Sequence, residues 1–258
     1  LVHEEVTITG PRIDLHSGMY GGPAMNPIRV LSKVIAALHD KTGKITIPGF
    51  YDGVAPLPAA TKKQWKALKF SDAKFLKEVG LTVPAGEKGK SVLEQIWARP
   101  TAEVNGVWGG YTGAGTKTVL PSQAHAKFTF RLVGKQDPEK VLKAFQAFVK
   151  ARIPKDCKVT FSGRGGGSPA TEIPESNPWI SKSAAALKAE FKRDAVLMGS
   201  GGSIPICRSF KDILGMDSVL VGFGLNDDAI HSPNEKYNLA SFQRGIRSWI
   251  RIIGGLAS

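Results

Sequence analysis

A chain of 258 residues is long enough for one large domain or two ordinary ones. Its 42% apolar and 22% charged residues are the proportions of a soluble globular protein, and no apolar run is long enough for a membrane span. The net charge of +13 invites a nucleic-acid partner, but the lysines are scattered, with Lys62, Lys63, Lys66, Lys69, Lys74 and Lys77 in one polar region and others on separate helices, which favours solvated helix faces and no nucleic-acid surface.

Residues 1 to 20 carry no charged-then-apolar leader. They hold "EEVTITG", a strand already under way, and no starting Met, so the chain is expected to be part of something longer. After that strand, "NPIRVLSKVIAALHDKTG" predicts a helix capped by Asn26, with Pro27 in its first turn and Gly43 as its stop. Ile28, Leu31, Val34, Ile35 and Leu38 form its apolar face, and His39 beside them reads as structural. Residues 44 to 100 form a less regular insert with helical pieces in "KFSDAKFLKEVG" and "KSVLEQIWAR". "TAEVNGVWGG" and "SQAHAKFTFRLV" are strand-like. In the second, Ala126, Phe128, Phe130 and Leu132 alternate with Lys127, Thr129 and Arg131. A helix in "DPEKVLKAFQAFVKARI" and a strand in "CKVTFSG" complete the order β-α-β-β-α-β, the ferredoxin-like split βαβ pattern.

The stretch "GRGGGSPATEIPESNP" then reads as a boundary. The expected division is residues 1–165 as one domain, with the insert at 44–100, and 166–258 as part of a second, α/β domain. In that second part the pattern is helix (Trp179 to Phe191), strand ("AVLMG"), helix ("GGSIPICRSFKDILG"), strand ("SVLVGF") and helix. The final helix is expected to bury Leu239, Phe242, Ile246, Trp249, Ile250 and Ile253. Two or three strands are too few for a complete sheet, so exposed edges and uncovered apolar faces are expected here. Cys157 and Cys207, in separate predicted elements, could form one disulfide but read rather as two free core thiols.

Among the five histidines, His3 and His125 read as ordinary, being terminal and within a strand. His16 lies in "RIDLHSGMYGGPAMNP", a Gly-rich loop between strand and helix, where it and Asp14 either brace the loop or carry function. "GSGGSIP" sets Gly202 and Ser203 before a helix, suited to an anion such as a substrate carboxylate. Arg131, on the polar side of its strand, either forks a carboxylate or is solvated. His231, just past "SVLVGFG", is a candidate metal ligand, but zinc needs three or more protein ligands and no HxD, HExxH or CxxC spacing occurs. Asp227 and Asp228 nearby can equally cap the turn.

"DLHSGMYGGPAMNPI", "GGYTGAGTKTVLPSQAHAKFTFRLV", "GSGGSIPI" and "AIHSPNE", in this order, resemble the di-zinc metallopeptidase family of carnosinase, aminoacylase and succinyl-diaminopimelate desuccinylase, in particular its carnosinase-like dipeptidase branch. The resemblance implies a lid, or dimerisation, domain followed by the C-terminal part of the catalytic domain, with the other zinc ligands and the general base upstream of residue 1. It implies that His16 stabilises the transition state in a partner subunit's site, and that Thr118 is also donated across a homodimer. Arg131, Ser203 and Gly202 would hold the substrate's carboxylate, Asn105 would line the cleft and His231 would be the last zinc ligand. The parent would hydrolyse a small dipeptide or N-acyl amino acid with two zinc ions per site, in the cytoplasm. This chain alone would be inactive and would not retain the zinc. A dimerisation module without catalysis of its own and a basic nucleic-acid binder are the alternatives. Two departures bear on the substrate: Gly199-Ser200 stands where relatives often have Arg-Glu, and "GRGGGSP", with Arg164, where they often have a His before Gly-Gly-Lys-Pro.

Overall fold

The computed structural model describes residues 1–163, 167–201 and 204–257. The chain divides into two compact units: Leu1–Ala170 with a short stretch from Gly199, and Thr171–Met198 with the chain from Ile204 onward.

The first unit is built on β1 (Val2–Thr9), followed by the short β2 (Leu15–His16), a single turn α1 (Ser17–Tyr20) and α2 (Pro27–Ala36). The insert contributes α3 (Ala59–Ala67), α4 (Asp72–Glu78) and α5 (Val92–Ala98). Then come β3 (Thr101–Gly109), β4 (Val119–Leu120), β5 (Gln123–Arg131), α6 (Pro138–Lys150) and β6 (Lys158–Phe161). The main sheet is antiparallel in the order β3-β5-β1-β6, and β2 pairs with β4 in a separate two-stranded ribbon. Counting only the four long strands and the helices α2 and α6, this is the ferredoxin-like order expected from the sequence.

Period-two alternation decides which face packs. β1 and β5 pair from Val2 with Phe130 to Thr9 with Gln123, so Val2, Val6 and Ile8 share a face with Ala124, Ala126, Phe128 and Phe130. All of these are buried. Phe145 of α6 sets its ring 4.9 Å from those of both Phe128 and Phe130. Glu4 lies on the same buried face, which an acid occupies only when its oxygens are satisfied. Its Oε2 accepts from Gln146 Nε2 at 2.8 Å and its Oε1 from the Gly163 and Glu5 amides, which ties α6 and the end of β6 to β1.

Asn26 caps α2 as expected, its Oδ1 accepting from the Ile28 amide at 2.8 Å. The helix stops at Ala36, well before Gly43. Asp40 causes the difference, because its carboxylate takes the Thr42 and Lys44 amides and closes a turn that competes with further helix. Gly43 sits in that turn at φ +78°, and a β-carbon there would collide with the Gly86 carbonyl. Helix α3 was not anticipated. It places Trp65 edge-on to Trp97 of α5, with ring centroids 5.0 Å apart, and leaves Lys62, Lys63 and Lys66 in solvent.

The second unit holds α7 (Pro178–Phe191), α8 (Pro205–Leu214) and α9 (Leu239–Ala257). Neither "AVLMG" nor "SVLVGF" is a strand, contrary to expectation. A strand exists only through a partner's backbone groups, and no ladder joins these segments to another strand among the described residues. The expected burial on α9 is also overturned. Gly245, Ser248 and Ile252 are its buried positions, while Leu239, Phe242, Ile246, Trp249, Ile250 and Ile253 are 43–77% exposed. Small residues let α9 approach closely: Phe223 packs against Gly245, and Arg247 and Arg251 pair with Glu190 of α7.

Glu4→Ala should strand the Gly163 amide and the Gln146 side chain. A loss of about 2 kcal/mol in thermal or denaturant unfolding is expected, the usual cost of leaving a buried hydrogen-bonding group unpaired.

Candidate active-site residues

His16 and Thr118 are brought together by the β2–β4 ribbon. Leu15 pairs with Leu120 and His16 with Val119, and the Ser17 amide donates to the Thr118 carbonyl at 3.0 Å. Both side chains are exposed. His16 also caps α1, its Nδ1 accepting from the Gly18 amide at 3.1 Å. A neutral imidazole that accepts at Nδ1 carries its proton on Nε2, so the ring presents a hydrogen-bond donor of the kind that stabilises a developing oxyanion. Gly18 completes this arrangement. A β-carbon there would lie 2.9 Å from His16 Cε1 and 3.2 Å from Nδ1, so the ring occupies the space a side chain would need.

Arg131 closes the far end of β5, opposite Thr101. It is exposed, and its guanidinium lies close enough to the amino group of Leu1 to depress that group's pKa, second to the effect of burial. The nine residues from Gln123 to Arg131, eight steps along an extended strand, span roughly 27 Å. The ribbon with His16 and Thr118 joins the other end of that strand, where the Gly10 amide donates to the Ser122 carbonyl. Asn105 stands at a β-bulge on the edge strand β3, where the register slips between Val104 and Gly106, and a bulge re-aims the extra side chain.

His231 lies in the turn after a single 3₁₀ turn at Asn226–Asp228. Its amide donates to Glu235 Oε2 at 3.1 Å and its backbone is left-handed, as are those of Ala229 and Asn234. Three non-glycine residues in that region within six positions mark a constrained turn. Asp228 holds it: the Leu225 amide donates to Oδ2 at 2.7 Å and Lys236 Nζ to Oδ1 at 3.1 Å. Asp227 pairs with the same lysine at 2.9 Å. Of the two readings of these acids, the structure displays the turn-holding one. The hydrogen bond from Leu225, with the Lys236 ammonium, holds the Asp228 carboxyl below the usual carboxylate range despite its burial.

Gly202, Ser203 and Arg164 lie outside the described residues. Gly199, one of the departures from the resembled pattern, rests against Trp97, where any side chain would collide with the Trp97 carbonyl. His125, expected to be ordinary, stacks on Trp108 at 4.9 Å and bonds Thr7 through Nδ1. No spacing in the sequence announces either contact. Among the described residues, no three His, Cys, Asp or Glu side chains converge so as to hold a metal ion. His231 is therefore a lone candidate ligand, and the residues described do not fit a zinc site, which takes at least three.

Gly18→Ala should displace the His16 ring and remove its bond to the Gly18 amide, read as a changed Nδ1 chemical shift in ¹⁵N NMR; an unchanged shift would show that the ring has room. The turn around His231 should depend on pH. The folded-state pKa of Asp228 is depressed from 3.8, so its stabilising effect is full above that value and is lost as pH falls through the lower folded value. Amide exchange at Leu225 and Lys236 should report opening only below about pH 4, and Asp228→Asn should remove the dependence.

Residues 4–157 match the model of the M20 peptidase dimerisation domain. The chain is 32% identical over 252 residues to the Cys-Gly metallodipeptidase DUG1 of Saccharomyces cerevisiae, covering 95% of this chain and 51% of that protein. The solved structure of the dipeptidase Dug1p from the same yeast superposes with a TM-score of 0.83 at 29% identity, covering 98% of this chain and 53% of that one. Human carnosine dipeptidase 1 superposes with a TM-score of 0.82 at 26% identity, covering 99% and 54%. The chain thus spans about half the length of the curated relatives it matches. With a ferredoxin-like sheet in place and a domain match over more than half its residues, the chain belongs to the M20 peptidase dimerisation-domain family.

Proposed function

We propose that residues 1–165 are the lid, or dimerisation, domain and residues 166–258 the C-terminal part of the catalytic domain of a di-zinc dipeptidase-type hydrolase. Its substrate class is a small dipeptide or an N-acyl amino acid, and the working form is a homodimer joined through the lid. The observation that carries this reading is the separation of His16 and Thr118 from Arg131 by the length of β5. Groups carried at opposite ends of one strand suit a small substrate when different copies of the chain supply them, and a dimerisation domain provides those copies.

In this reading His16 donates to the oxyanion in the partner's site, and Thr118 enters beside it from the same ribbon. Arg131 grips the substrate carboxylate in its own subunit's site together with Ser203 and Gly202, and Asn105 lines the cleft. His231 supplies one metal ligand. Because zinc takes three or more, the chain taken alone does not hydrolyse dipeptides. Two buried, unpaired cysteines suit a reducing, cytoplasmic setting. The similarity to a Cys-Gly metallodipeptidase and to a Beta-Ala-His dipeptidase supports the substrate class. The six lysines of the insert region, exposed on α3, α4 and the turn joining them, serve as solvated surface in place of a nucleic-acid face.

Sedimentation of the purified chain is expected to give a dimer, of twice 27.6 kDa, that persists at high salt. The same sample with added zinc should leave Cys-Gly and β-Ala-His intact. A monomer at every concentration would remove the dimeric reading, and zinc-dependent turnover by the chain alone would remove the assignment of an incomplete site. Binding to single-stranded nucleic acid that falls steeply with salt would favour a basic nucleic-acid binder instead.

A further inference from the structure

We infer that Asp14 is a positioning residue for His16 and Thr118, its carboxylate closing the end of the β2–β4 ribbon that presents them. The inference rests on the roles proposed above for those two residues, but its structural content stands apart from them. The ribbon has only two residue pairs, Leu15 with Leu120 and His16 with Val119. Two-stranded ribbons are marginal in water, so what happens at their ends decides whether they persist. At one end the Ser17 amide donates to the Thr118 carbonyl at 3.0 Å.

At the other end the same register would bring Asp14 opposite Pro121, which has no amide hydrogen to continue the ladder. The next donor is Ser122, and its amide gives its hydrogen to Asp14 Oδ1 at 2.7 Å. The Ser122 carbonyl in turn accepts from the Gly10 amide at 2.9 Å, so one residue ties the ribbon both to Asp14 and to the segment just past β1. The bond from Ser122 and the nearby Lys117 ammonium hold the Asp14 carboxyl below its usual range, so it is charged at neutral pH and the bond is charge-assisted. Asp14 is exposed, so packing does not account for its place; its partner does.

The test is amide exchange by NMR on the 258-residue chain without metal or substrate, comparing the parent with Asp14→Ala and Asp14→Asn. Asp14→Ala should speed exchange at Ser17 and Ser122 by about fivefold, the size set by losing one hydrogen bond. Asp14→Asn keeps an acceptor oxygen and should restore most of the protection. Amides in the middle of β5 and the melting temperature should stay as in the parent. Unchanged Ser17 exchange in Asp14→Ala, or equal exchange in the two variants, would overturn the inference. The readout involves no catalysis, so an error in the hydrolase assignment leaves it untouched, and its own failure leaves that assignment standing.

Discussion

The pairing of β1 with β5 is the constraint on which the first unit depends. Its register places seven apolar side chains and Glu4 on one face, where α2 and α6 cover them. A slip of one residue would turn that set to solvent and bring Thr7, His125 and Lys127 inward. The aromatic cluster of Phe128, Phe130 and Phe145 and the hydrogen bonds of Glu4 both follow from that register. The same ladder fixes distances relevant to function, because a fully extended strand is a ruler. The β2–β4 ribbon joins one end of it and Arg131 closes the other.

The ribbon differs in kind from the sheet that carries it. It has little buried surface, and its order comes from local hydrogen bonds: a histidine that caps a single helical turn, a glycine whose missing side chain makes room for that histidine, and a carboxylate that accepts from Ser122, the first amide past a proline that has none. The turn around His231 is held in a similar manner, by Asp228 and Lys236 across strained backbone. Of the functional candidates, His16, Thr118 and His231 thus sit on short, polar segments whose geometry is fixed by a few charged or capping groups, whereas Arg131 and Asn105 stand on strands of the sheet.

How much of this was legible in the sequence follows from the range of the forces involved. Alternation in β5 and the Asn-Pro and Asp-Pro helix starts are local signals, and the corresponding elements formed as read. The early end of α2 turned on Asp40 choosing the Thr42 and Lys44 amides, a competition that periodicity does not weigh. Helix α3 hid among lysines because its one buried anchor, Trp65, packs against a residue far along the chain. The apolar face of α9 was correctly seen as apolar and wrongly taken as buried, since burial depends on what packs against it. Likewise "SVLVGF" has the composition of a strand, and composition cannot supply the neighbouring backbone. His16 was legible as a candidate from its loop, whereas the role of Gly18 is visible only once the ring is seen in the space above it.

The most direct measurement is calorimetric titration of zinc into the purified chain and into His231→Ala. If the chain contributes one ligand to a metal pair completed elsewhere, binding should be weak, below two ions per chain, and further reduced in the variant. Two tightly bound ions per chain, indifferent to His231, would contradict the assignment of both the ligand and the incomplete site.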